Sequence, residues 1–597
     1  MKRLFIYILI SFFITTANGQ YYLRGEIKNE KSEFLQNVNI RLHSDKLLYR
    51  SGVGGGFGIS GSEKKDSLTL SIDGYETITV AISSDKYLEV TMKQLSSNSS
   101  KNRPKLISIT KDNKFSSKYS WFVSDESYFS LIENEEVNAE RFPNTGFSLN
   151  INKASYSNIR RFVAQGSVVP PDAVRIEELL NYFNLNYKEP EKNEFFRIES
   201  EQSASPWDDK KRLLYLNINA RKLDLEKVPP SNLVFLIDAS GSMDMPNRLP
   251  LVKAAFQMLV KNLRPTDTVS IVIYGGAVAV WMQPTSGAEK QKIIQSIEEL
   301  TASGDTPGES AIRLAYMVAK RSFIKNGNNR VILATDGDFN VGETSEEALE
   351  DLITKQRQSG VYLTCLGVGM GNFKDSKLET LAKRGNGNYA YLDDIKEAEK
   401  VLVKEVTQTF YAVADDVFLN VHFNSALVKD YRLIGFDNKR DAIADSSGTL
   451  EGGEIGSGNS VMAIFEYTPA IANDSLFNIS AATSHIAEVD LRYTPSNTTT
   501  EKHLLYKCNG TTKPFIAINK ELQFGATVSM FGMKLRQSKY LPSKVSDWDK
   551  LESLALSSYN PNDYLQKEFI LLLANARKLY DKSKQKKKKK GKDADDE

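Results

Sequence analysis

The run Leu233-Val234-Phe235-Leu236-Ile237 is unbroken apolar and ends directly in Asp238-Ala239-Ser240-Gly241-Ser242. A strand of this composition has no face to offer water, so it must lie inside a sheet that is covered on both sides. Helical spacing follows, with Leu249, Val252, Ala255, Phe256, Leu259 and Leu263 on one face. The strand Val269–Tyr274 comes next, then helices near 287–300 and 308–325, the strand Arg330–Thr335, a helix near 345–359 and the strand Val361–Leu366. A last helix and a short strand lead to Tyr391. Strands alternating with helices predict a doubly wound, Rossmann-like α/β domain over 230–410 with a mostly parallel sheet. Ligands of such sheets bind where the strands end in loops.

A chain of 597 residues needs several domains. Residues 1–19 read as a signal peptide: Lys2 and Arg3, the apolar run Leu4–Phe13, then small residues up to Gly19. That run is short for a bilayer span and no later segment is apolar enough, so the reading is an exported mature chain without a transmembrane segment, in the periplasm or at the cell surface. Residues 20–95 alternate in short segments such as Asn37–Leu42, Leu68–Ile72 and Leu88–Met92, which predicts a small β-sandwich. A polar linker is expected over 96–117, mixed α+β regions over 118–225 and 411–580, and a disordered charged tail over 581–597. In the first mixed region, helical spacing puts Tyr156, Ile159 and Phe162 on one side, and Val174, Ile176, Leu179, Leu180 and Phe183 form a second stripe. A net charge of +2 excludes a strongly basic nucleic-acid binder. The two cysteines, Cys365 and Cys508, make no disulfide framework, and Cys365 reads as a small core side chain. The four histidines, at 43, 422, 485 and 503, have no zinc-ligand spacing.

Three segments at strand ends carry oxygen ligands: Asp238-Ala239-Ser240-Gly241-Ser242, Ser303-Gly304-Asp305-Thr306-Pro307-Gly308 and Thr335-Asp336-Gly337-Asp338. Two carboxylates and several hydroxyls on one sheet edge suit a hard cation such as Mg²⁺, which prefers six oxygens and keeps some water. Hydroxyls are neutral, so a site built mostly from them leaves ionic charge unbalanced. A carboxylate from another protein can then replace a water and complete the shell.

These segments resemble the metal-ion-dependent adhesion site of von Willebrand factor type A domains: D-x-S-x-S, a threonine loop and T-D-G. The resemblance implies Asp238, Ser240, Ser242, Thr306 and Asp336 as the metal set, Mg²⁺ as the ion with Mn²⁺ or Ca²⁺ as alternatives, and a protein partner offering a carboxylate. Ala154–Phe162, Pro170–Glu178, Gly337–Gly342, Gly385–Tyr389, Tyr431–Phe436 and Phe531–Arg536 are similar to one bacterial family with dedicated regions on either side of that domain. The likeness spans roughly 120–580. It departs at Asn150-Ile151-Asn152-Lys153, where members usually read D-V-D-T, and at Gly458-Asn459, where they tend to carry G-H. The segments Gly25-Glu26-Ile27, Asn37–Ile40, Gly55–Ile59, Asp73–Thr77 and Leu88–Met92 resemble a carboxypeptidase-regulatory-like sandwich.

The reading is therefore a binding protein for adhesion or assembly, not an enzyme. No histidine lies in a motif near Ser240 to act as base, and there is no G-x-S-x-G elbow or P-loop. The alternative is an envelope scaffold or accessory subunit in which the ion only stiffens a loop.

Overall fold

The structure is a computed structural model. It describes residues 21–93 and 126–592, except 45–47, 53, 62, 73–74, 127, 129–130, 148, 150, 225, 305–307, 338–345, 371–373, 437–452, 471–484, 497, 499, 509–510 and 543–546. The expected signal peptide and linker, Thr306, Asp338 and the last five residues lie outside those described.

The chain divides into two units, Met1–Lys105 and Leu106–Glu597. In the first, a three-stranded sheet (56–61, 21–29, 88–92) and a four-stranded sheet (48–50, 39–42, 65–71, 78–83) share one core containing Leu23, Ile27, Val38, Ile40, Leu68 and Leu70. Period-two alternation turns every second side chain inward, as the sequence pattern requires.

The second unit holds the α/β domain. Its strands are β1 (Ser231–Asp238), β2 (Thr268–Tyr274), β3 (Ala279–Ser286), β4 (Asn328–Thr335), β5 (Tyr362–Val368) and β6 (Tyr389–Leu392). Spatial order is β3-β2-β1-β4-β5-β6, parallel throughout except that β3 runs antiparallel at the edge. The sequence reading has no strand at β3. Exposed Trp281 and the proline at 284 mask its periodicity, and an edge position tolerates both. In β1, Val234 and Leu236 enter one core while Leu233, Phe235 and Ile237 enter the other, so both faces are covered. The helix Gly308–Arg321 covers the first face through Ala311, Ile312 and Ala315. The helix Leu249–Lys261 covers the second, where Phe256 stacks on Phe235 at 4.2 Å between ring centroids. Each such side chain contributes about 2 kcal/mol by leaving water.

The segments before and after this domain do not form two separate regions. Strand 212–220 from the first pairs with 196–204 on one side and with 460–469 from the second on the other. Strand 144–147 pairs with 412–423, and 137–138 with 428–433. The two five-stranded sheets enclose one core that joins Leu214, Leu216 and Ile218 to Leu419, Val421, Phe465 and Leu491. A helical layer likewise unites Tyr156, Ile159, Phe162 and Leu179 with Phe524, Phe531 and Phe569. The α/β domain is thus an insertion between two halves of one flanking body. The stripe over 174–183 is buried as expected, but only Ile176–Leu180 is helical.

Cys365 and Cys508 are free, buried, and in different cores. The helix Tyr564–Lys592 runs past residue 581, where disorder is expected; lysine is a good helix former and the preceding turns supply the nucleus. At the departures from the family pattern, Asn152 accepts the Tyr389 amide at 3.0 Å and Lys153 pairs with Glu405 at 3.1 Å. Gly458 forms a left-handed turn, and the Asn459 carbonyl accepts from the Ala220 amide at 2.8 Å. Asn152 and Lys153 thus tie the flanking body to the α/β domain, and Gly458-Asn459 packs within the flanking body.

Candidate functional site

β1 delivers Asp238 at its carboxyl end, level with Tyr274 of β2. The Asp238 side chain is fully buried, and its hydrogen bonds come from neutral donors: the Ser240 amide to Oδ1 at 3.0 Å and the Thr335 hydroxyl to Oδ2 at 2.8 Å. Burial, with Asp336 adding its charge, pushes the Asp238 carboxyl up to about 6, although bonds from Ser240 and Thr335 pull the other way. Burial also holds the Tyr274 phenol well above its ordinary value, with the Asp238 charge second, so this neighbour stays neutral.

The chain leaves β1 through a single 3-10 turn, Gly241–Met243, which sets the Ser240 and Ser242 hydroxyls 3.0 Å apart. The loop before the helix Gly308–Arg321 docks on this turn. The Ser303 amide donates to the Ala239 carbonyl at 2.7 Å, and the Gly241 amide to the Gly304 carbonyl at 3.0 Å. Gly304 has φ +75°, and a methyl there would collide with the Gly276 backbone, so this approach needs glycine. From β4, Thr335 turns back to Asp238 while accepting the Gly337 amide at 3.1 Å, and Asp336 follows, 4% exposed.

The fold therefore gathers Asp238, Ser240, Ser242 and Asp336 at the carboxyl edge of adjacent β1 and β4. Thr306 lies outside the described residues; its neighbours Ser303 and Gly304 are docked on the site. Two residues that the sequence reading passes over also belong here. Thr335 orients the buried carboxylate. Arg248 spans the cluster: its Nη1 donates to Asp336 Oδ2 at 2.7 Å and to the Ser242 carbonyl at 2.5 Å, and its Nη2 to the Met370 carbonyl at 2.8 Å. Arg248 stands at the N-cap position of the helix Leu249–Lys261 without a side-chain capping bond, where the macrodipole disfavours a cation. That misplaced charge is the signal in the sequence.

The donor set fits a hard divalent cation. Among the described residues the buried Asp238 carboxylate is held by neutral donors alone, and two serine hydroxyls stand beside it. Among the described residues no three His, Cys, Asp or Glu side chains cluster in a way that would hold a metal. None of the histidines contributes: His43 meets Thr69, His422 meets Asn144, His485 faces Glu488, and His503 faces Glu501 and Asp490. Among the described residues no helix is long and apolar enough to cross a membrane.

Family comparisons agree with this architecture. The family model for the von Willebrand factor type A domain matches residues 232–404, one described as von Willebrand factor matches 122–215, and one described as uncharacterized protein YfbK, C-terminal, matches 408–579. Uncharacterized protein YfbK of Escherichia coli (strain K12) is 35% identical over 466 residues, covering 75% of this chain and 80% of that protein. Inter-alpha-trypsin inhibitor heavy chain H2 of Sus scrofa is 25% identical over 35% of this chain and 23% of its own length. Among solved structures, a von Willebrand factor type A protein from Catenulispora acidiphila aligns with 62% of this chain and 88% of its own, at 15% identity and a TM-score of 0.39. With a von Willebrand factor type A domain set between the two flanking regions, the chain belongs to the YfbK family.

Proposed function

We propose that this is an exported protein that holds a protein partner through a divalent ion, Mg²⁺ or in its place Mn²⁺ or Ca²⁺, at Asp238, Ser240, Ser242, Thr306 and Asp336. The observation that carries the reading is the Asp238 carboxylate: fully buried, bonded among the described residues only to neutral donors, and next to two hydroxyls. Bound there, the ion supplies a Lewis-acidic corner for a carboxylate of the partner. Asp238 and Asp336 would balance its charge, Ser240, Ser242 and Thr306 would add neutral oxygens, and Thr335 would keep Asp238 oriented. Exposed Met245 and Met370 lie beside Arg248 and offer apolar contact around that corner.

Binding is favoured over catalysis because none of the four histidines stands near Ser240 to serve as the base of a nucleophilic pair. Export rests on the charged and apolar start of the sequence, and the N-terminal sandwich serves as a display module of the carboxypeptidase-regulatory-like kind. The test is capture of partners by the mature protein in Mg²⁺ against chelator, with Asp238→Ala alongside. Metal-dependent capture that the substitution abolishes supports the reading; equal capture in all conditions rejects it. If chelation lowers the melting temperature without changing capture, the ion only stiffens the loop and the protein is a scaffold.

A further inference from the structure

Building on the metal reading above, we infer that Arg248 is a tethered cation that limits how tightly the site holds its ion and keeps the loaded site net positive toward an acidic partner. The two acidic residues of the site are treated differently by the fold. Among the described residues Asp238 meets only neutral donors, whereas Asp336 shares one carboxylate oxygen with the Arg248 guanidinium at 2.7 Å, the two side chains being 4% and 11% exposed. An oxygen committed to a guanidinium is a weaker donor to a second cation, and the two positive charges repel across a medium that screens poorly.

The placement of Arg248 is built, not incidental. Its fork reaches three elements at once: the turn after β1 through the Ser242 carbonyl, the end of β4 through Asp336, and the segment after β5 through the Met370 carbonyl. Gly369, at φ +78°, clears the path: a Cβ there would lie 2.6 Å from Arg248 Nε and 2.9 Å from its Cγ. The Tyr391 hydroxyl fixes that glycine by donating to its carbonyl. The planar fork lets arginine hold all three elements at once, whereas a lysine keeps the charge with fewer of the bonds.

The charge count follows. Among the described residues, the site's two carboxylates and one guanidinium leave a single net negative charge, which a divalent ion would convert to a single net positive charge. Without Arg248 the loaded site would be neutral and would attract a carboxylate less. Arg248 thus exchanges some affinity for the ion against attraction for the acid.

The experiment is a Mn²⁺ titration of the full mature chain, followed by electron paramagnetic resonance, for the wild type, Arg248→Gln and Arg248→Lys. Melting curves in chelator establish that each variant folds. Water-proton relaxation during a glutarate titration then reports displacement of Mn²⁺-bound water by a carboxylate. Arg248→Gln should bind Mn²⁺ about ten-fold more tightly and need several-fold more glutarate, whereas Arg248→Lys, which keeps the charge, should stay within about three-fold of wild type on both counts. Binding by the glutamine variant with none by the wild type would support the inference more strongly still. Equal or weaker Mn²⁺ binding by a folded glutamine variant would overturn it and leave the metal reading standing, with Arg248 a loop clamp only. Should Arg248→Gln not fold, a folded lysine variant that departs ten-fold from wild type overturns it. No Mn²⁺ binding by any folded form removes the metal reading itself.

Discussion

Two edges of the same α/β domain handle buried carboxylates in opposite ways. At the seam with the flanking body, Arg160 forks onto Asp393 at 2.5 and 2.7 Å and also reaches Glu397 at 2.7 Å and Glu568 at 2.6 Å. Arg175 likewise pairs with fully buried Asp375 and with Glu178 at 3.3 Å. At the carboxyl edge of β1, Asp238 is equally buried and, among the described residues, has no basic side chain bonded to it. Burying an unpaired carboxylate is costly, and among the described residues the fold gives guanidinium partners to the acids of the seam and to Asp336 but none to Asp238. The difference separates a structural junction from a place prepared for a cation from outside the chain.

That contrast can be broken most easily at the seam. Arg160→Ala should destabilise the protein by about 3–5 kcal/mol in urea unfolding, because it leaves three largely buried acids without their shared cation; a loss below about 1 kcal/mol would show that the seam is solvated. At the other edge, Mn²⁺ at a hundred times its dissociation constant should stabilise the wild type by about 2.7 kcal/mol, read as a rise in melting temperature. Asp238→Asn should fold and show no such rise, and a persisting rise would place the ion elsewhere. Ser242→Ala removes one neutral oxygen and should weaken Mn²⁺ binding about ten-fold, near 1.4 kcal/mol, by calorimetry. Smallest of all, Arg313→Ala breaks an exposed pair with Glu309 in the helix Gly308–Arg321 and should change stability by less than about 0.5 kcal/mol. A larger loss there would mean that ion pairs matter in this protein irrespective of burial, and the comparison of edges would lose its force.

Much of the site is legible in the sequence because it follows strands whose apolar runs leave no alternative fold. Asp238, Ser240, Ser242 and Asp336 can be numbered from the motifs, and the strand ends place them on one edge. Thr335 and Arg248 are not legible in the same way. A threonine closing a strand has many uses, and Arg248 acquires its role only when the ends of β4 and β5 come alongside the turn after β1. The domain division is half legible. Composition marks where the α/β insertion starts and stops, but not that the strands before it pair with those after it.

The order of the parallel strands and the helices between them, and the burial of β1 on both faces, follow from local hydrophobic pattern, since period and composition act over a few residues; the antiparallel edge strand β3 does not. Joining 212–220 to 460–469, setting Arg160 among three acids, and giving Asp336 a guanidinium while leaving Asp238 without one were decided by tertiary structure. Those pairings link residues tens to hundreds of positions apart. Their energies depend on which charges are shut away from water together, and no local pattern encodes that.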